Sequence, residues 1–150
     1  MLDTKTSLIE IMENKQLEEY QQNSEYLLYL EKTLVEYHYT WLNLVQTKSD
    51  ILGKGTLNVH GENYEVLLRY SPFLPFRFDR IYINHKKKIE YNPSIHVYKD
   101  LSLCLYHPVL DKPFLKIIPL CKMIPWITEW CIHFTEWRKY GVWLGREIKH

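Results

Sequence analysis

The chain has 150 residues, a length that fits one domain with a substantial core. Charged residues make up 25% and the net charge is +1, so bulk electrostatics gives no reason to expect a nucleic acid or an anionic membrane as partner. Three cysteines (Cys104, Cys121 and Cys131) form an odd set without CxxC spacing, which argues against a disulfide framework and a zinc site; no metal or cofactor is expected. No apolar run reaches the roughly 18 residues of a membrane span. The first residues lack the basic start and long apolar stretch of a signal peptide, so a reducing cytoplasm is the expected compartment. Aromatic content is high, at 15%, and large rings serve both as core filling and as contact surface.

Residues 1–20 are weakly amphipathic through Leu8, Ile9, Ile11, Met12 and Leu17, an extra N-terminal helix within a single domain spanning 1–150. From Ser24 to about Gln46, Leu27, Leu30, Leu34, Tyr37, Trp41 and Val45 recur every three or four residues. That spacing predicts one long helix, capped by Ser24 and laying an aromatic-rich face on the fold. The stretch 48–55 reads as a break. Alternation at Leu57 and Val59, a turn at Gly61–Asn63, and alternation again at Tyr64, Val66, Leu68 and Tyr70 predict a hairpin. After a Pro-punctuated loop at 71–76, Arg80–Asn84 reads as a third antiparallel strand.

Residues 85–120 have no sustained period, and a long irregular stretch in a compact domain is often functional. His85-Lys-Lys-Lys88 reads as a solvated basic loop. The last element is a helix from Pro125, carrying Trp126, Trp130, Phe134 and Trp137 and stopping at Gly141. Cys121 and Cys131 read as core residues. Helix, three-strand meander, irregular segment and aromatic helix make an α+β layout.

The irregular segment holds the best functional clue, Tyr98-Lys-Asp-Leu-Ser-Leu-Cys104-Leu-Tyr-His-Pro108. Cys104 follows a turn at Lys99–Asp100, which places it at an edge of the fold, with His96 and His107 on either side. An acyl-carrying thiol needs access, a nearby base and a donor for the oxyanion of the tetrahedral intermediate. His96 or His107 would supply the base, and Asn92 a side-chain amide. Structural readings stand beside these. A buried, inert cysteine fits the local pattern equally well, His96 lies between Ile95 and Val97, and Asn92-Pro93-Ser94 is an ordinary turn signal.

The order of elements resembles the ubiquitin-conjugating (UBC) fold. Ile95-His-Val-Tyr98, Ser102-Leu-Cys-Leu-Tyr106 and Pro108 are similar to the cysteine segment of bacterial UBC-like proteins. The ending strengthens this through Ile124-Pro-Trp126, Thr128-Glu-Trp130, Trp137, Gly141-Val-Trp143-Leu-Gly145 and His150. It is similar to the stand-alone conjugating-enzyme-like protein of antiphage CBASS operons, which accompanies a cGAS/DncV-like nucleotidyltransferase. The resemblance covers residues 53–150 well and the N-terminal third by pattern alone.

It implies that Cys104 forms a thioester with the C-terminus of a partner protein, the nucleotidyltransferase in place of ubiquitin, and primes cyclic-nucleotide synthesis. It departs from the family pattern in two places. The His-Pro-Asn of eukaryotic members is at best Asn92-Pro93-Ser94, farther from the cysteine, and the Gly usual before Ser-Leu-Cys is Leu101, which implies a turn built differently. No Gly-rich nucleotide loop is present, so loading falls to a separate activating protein or proceeds without ATP. Two other readings remain open: a catalytically silent UBC-like module that docks the nucleotidyltransferase, and a cysteine hydrolase that needs His96.

Overall fold

The computed structural model describes residues 17–75, 77–106 and 118–145. Its elements are α1 (Ser24–His38), β1 (Leu42–Gln46), β2 (Ile51–Val59), β3 (Glu62–Tyr70), β4 (Asp79–Asn84), a 3-10 turn (Pro93–Ile95) and α2 (Leu120–Tyr140). Residues 17–22 are also helical and lead into α1.

The strands form one antiparallel meander in the order β1-β2-β3-β4. The alternation read from the sequence sets its inner face: Tyr64, Val66, Leu68 and Tyr70 of β3 are buried, and Ile51 pairs with Tyr70 while Val66 pairs with Gly55 and Ile83. His60 and Gly61 close the β2–β3 hairpin with φ of 50° and 82°, a two-residue turn whose positive φ values suit the twist of the strands. A side chain at Gly55 would collide with the backbone of Trp41, so β2 passes that corner only as glycine. One apolar cluster joins the sheet to both helices through Leu28, Val35, Tyr64, Ile81, Met123, Ile127 and Phe134. Each large side chain so buried stabilises the fold by about 1.5–3 kcal/mol.

Four expectations are corrected. First, the long helix ends at His38, where the Tyr39 N–H closes on the Val35 carbonyl at 2.8 Å, and Leu42–Gln46 becomes a fourth strand. Period three and period two coincide in the run Leu42, Leu44, Val45, and a backbone ladder to 51–55 decides for the strand. Second, α1 buries Ser24, Leu28 and Val35, while Leu34 and Tyr37 on the opposite side are 49% and 81% exposed. Third, the predicted break shrinks to residues 47–50, because glycines in β2 serve close approach and not termination.

Fourth, α2 begins five residues before Pro125, at Leu120. Pro125 lacks the N–H that would bond to residue 121, yet it sits on the exposed side, and burial of Leu120, Met123 and Ile124 carries the extra turn. The Leu120 N–H finds a partner outside the helix, the Glu31 carboxylate at 3.0 Å. Gly141 stops the helix as expected, with φ 74° and its N–H on the Trp137 carbonyl at 2.8 Å.

Candidate functional site

The cysteine segment is a small hairpin laid against the free edge of β4. Its entry is the 3-10 turn at Pro93–Ile95, whose first N–H groups need an acceptor; the Asn92 side chain takes the Ser94 N–H at 2.9 Å. His96 ends that turn with φ 55°. From there the two arms meet. Val97 bridges Leu103, the Tyr98 N–H donates to the Ser102 carbonyl at 2.9 Å, and the Cys104 N–H donates to the His96 carbonyl at 2.9 Å. The Leu103 N–H donates to the Ile81 carbonyl at 2.8 Å and fastens the hairpin to β4.

The tip of the hairpin is built from short-range polar bonds. Asp100 accepts from both the N–H and the hydroxyl of Ser102, at 2.9 and 2.6 Å. Leu101 takes φ 70°. The turn adopts the left-handed backbone that a glycine would favour, and Leu101 carries it at a cost of about 1–2 kcal/mol. Asp100 is held below the usual carboxylate range: burial alone would raise it, and the Ser102 hydroxyl and N–H, then the charge of Arg77, pull it down.

Behind the hairpin lies a buried polar cluster that the sequence reading missed. Arg77 donates to the Ser102 hydroxyl at 3.0 Å and reaches Asp79 and Asp100 at 3.9 Å each. Its guanidinium carbon stands 3.6 Å above the Tyr98 ring. The Tyr106 hydroxyl donates to Asp79 at 2.7 Å. Burial raises the Asp79 carboxyl, opposed by the Tyr106 bond and by the charges of Arg77 and Arg80. Burial also pushes the Tyr106 phenol far up, and the Asp79 charge adds to it.

The Cys104 side chain is buried, with 1% of the residue exposed, and its thiol donates to the Tyr106 carbonyl at 3.7 Å. This corrects the expected accessible placement, because the turn precedes the cysteine but the arm that carries it is fastened to the edge of β4 and buried. His96 is brought beside Cys104 through the backbone bond above; its buried ring packs on Trp143, with centroids 5.0 Å apart. Trp130 anchors the same corner by donating from its indole N–H to the Ile95 carbonyl at 2.8 Å. Asn92 is used as the cap of the 3-10 turn. His107 lies outside the described residues, as do Pro108 and His150.

Comparison with family models decides what kind of chain carries this hairpin. The model described as "Type II CBASS E2 protein" matches residues 31–150. The chain belongs to the type II CBASS E2 family. The match takes in α1 from Glu31, the sheet, the cysteine hairpin and α2, so the E2-CBASS assignment rests on most of the described fold and not on the cysteine segment alone. It gives the chain an E2-like role in CBASS defence. Comparison with curated proteins and with solved structures gives no match. Among the described residues of this E2-CBASS protein, no helix is long and apolar enough to cross a membrane, and no group of three or more His, Cys, Asp or Glu is placed to hold a metal ion.

The other two cysteines lie on α2. Cys131 is fully buried on α2 without a charged neighbour, and burial lifts its thiol to about 12. Cys121 is half-buried, packed against the core and not in it, and burial with the Glu31 charge raises it. A thiol so lifted is a poor nucleophile. His85 is another correction. Its side chain is buried, stacked on Tyr64 at 4.4 Å with Nε2 3.3 Å from Glu62, while only Lys86–Lys88 form the expected solvated run.

Proposed function

We propose that this chain is a UBC-fold acyl-transfer protein of CBASS defence. In this reading Cys104 forms a thioester with the C-terminus of a cGAS/DncV-like nucleotidyltransferase in the cytoplasm and primes that enzyme. The observation that supports it most is the hairpin itself. In a chain of the type II CBASS E2 family, Cys104 alone of the three cysteines sits in a hydrogen-bonded hairpin, beside a histidine, that a buried cation braces through Ser102.

The chemistry constrains the partner. A free carboxylate does not acylate a thiol, so the carbonyl must carry a leaving group. Either a separate activating protein installs one or the carbonyl is an internal amide whose amine leaves. The Cys104 sulfur then bonds to the carbonyl carbon, its proton passes to His96 or His107, and the tetrahedral intermediate collapses with loss of that group. The sulfur is covered in the resting fold, so engagement of the partner's tail must open the hairpin locally.

Burial of Cys104 also favours a second reading, a silent E2-like module that docks the nucleotidyltransferase. A phage-plating assay with the full operon separates the two. Under the first reading Cys104→Ala loses protection as fully as deletion of the gene, and under the second it protects like the wild type.

A further inference from the structure

We propose that Tyr98 is the hydrogen-bond donor of the cysteine site: its hydroxyl orients the Cys104 sulfur and stabilises the thiolate that attacks the acyl carbonyl. The proposal rests on Cys104 being the acyl carrier and adds a catalytic residue that the sequence did not single out.

Convergence on one carbonyl is the first observation. The Tyr98 hydroxyl donates to the Tyr106 carbonyl at 3.3 Å, and the Cys104 thiol donates to the same oxygen at 3.7 Å. Both donors share that one acceptor and a side-chain hydrogen bond also links the Tyr98 hydroxyl to Cys104, so loss of the thiol proton turns the sulfur into a full acceptor for the phenol. The second observation is that Tyr98 is held at its backbone and at its ring face. Its N–H is bonded to Ser102, its ring lies under the Arg77 guanidinium, and Arg77 is itself 8% exposed and fixed by Ser102, Asp79 and Asp100. A ring fixed in this way presents its hydroxyl at a constant position, which is what preorganised stabilisation of a developing charge requires.

The phenol acts as a donor and not as a base. Burial, then a hydrogen bond to Cys104 and the charge on that sulfur, raise its pKa, so the hydroxyl keeps its proton. In the acyl-transfer step the thiol proton leaves for a histidine, the sulfur electron pair forms the bond to carbon, and Tyr98 gains and loses no proton. Arg77 above the ring face supplies positive charge that strengthens the O–H as a donor. Its role is positioning: it acts through the ring.

The test is a titration of the thiol itself in the full chain, followed by the 13C shift of the cysteine Cβ and assigned with Cys104→Ser. Tyr98→Phe removes one oxygen and keeps the ring. Loss of a hydrogen bond to the charged form raises the Cys104 pKa by about one unit, a tenfold smaller thiolate fraction at a given pH below it. Site-specific 3,5-difluorotyrosine at position 98, a stronger donor of similar shape, shifts the pKa the other way and covers the case in which Tyr98→Phe fails to fold. A Cys104 pKa that stays put with difluorotyrosine, or with a folded Tyr98→Phe, overturns the proposal. The titration needs no acyl donor, so it stands apart from the thioester reading. Absence of any Cys104 adduct in wild-type protein overturns that reading and the catalytic half of this one, while the titration still reports on the hydrogen bond.

Discussion

Tyr106→Phe probes the polar cluster that supports the cysteine hairpin. The substitution removes a single oxygen, the donor held 2.7 Å from the Asp79 carboxylate, and leaves the ring in its place in the core. Asp79 is 1% exposed, with Arg77 at 3.9 Å and the charge of Arg80 also acting on it. A hydrogen bond to a buried charge contributes about 1.5–3 kcal/mol, against about 1 kcal/mol for a neutral pair. The loss therefore depends on the ionisation of Asp79. Burial raises this carboxyl in the folded state, so the native protein binds its proton more tightly than the unfolded chain, and stability from this group falls as pH rises from the ordinary value of 3.8 through the folded value. Without Tyr106, which opposes that rise, the folded value moves higher still and the fall extends further.

The variant should lose about 1.5–3 kcal/mol at pH 8 and about 1 kcal/mol at pH 4, where Asp79 tends to its neutral form in both proteins. Urea denaturation followed by circular dichroism at the two pH values measures both losses. An equal loss at pH 4 and pH 8, or a loss at pH 8 below about 0.5 kcal/mol, would show that the bond to Asp79 does not carry the cluster.

Three further outcomes follow from the same geometry. Under native conditions Ellman's reagent should modify half-buried Cys121 at least about tenfold faster than Cys104 or Cys131, and a fast Cys104 would contradict its burial. Burial lowers the His85 pKa below 6.5, so the unfolded chain binds the extra proton; stability should fall as pH drops through 6.5 toward the folded value, and His85→Gln should flatten that slope in denaturation series. Leu101→Gly should be more stable than Leu101→Ala by about 1 kcal/mol, the reverse of the usual order, because only glycine relieves φ 70°; the usual order would mean that the turn relaxes.

Strong two-residue alternation made the β2–β3 hairpin legible, and Gly141 marked the end of α2 without help from packing. The reading failed where two periods share the same residues. Leu42, Leu44 and Val45 satisfy a helix continued from α1 and a strand equally, and only the ladder to residues 51–55 separates them. It failed again at Pro125, where a helix-starting signal sits inside a helix carried by long-range burial and by Glu31.

At the site, Cys104 and its turn stood out because Ser102, Asp100 and Leu101 are neighbours in sequence. Arg77 and Asp79 did not, since a strand and a loop separate them from the hairpin and only the fold brings Arg77 to Tyr98 and Asp79 to Tyr106. Burial of the thiol was one of two readings that the local pattern allowed equally, and the choice rests on long-range contacts such as the Leu103 N–H meeting Ile81 of β4.

The central claim is that Cys104 carries an acyl group taken from the nucleotidyltransferase C-terminus. Intact-mass spectrometry of the two proteins co-expressed, with any activating protein that their operon encodes, tests it directly beside Cys104→Ala. The account predicts a species at the summed mass less the leaving group, absent in the variant and cleaved by hydroxylamine or excess thiol. Two unlinked masses in every sample, with a non-covalent complex that survives Cys104→Ala, would contradict it.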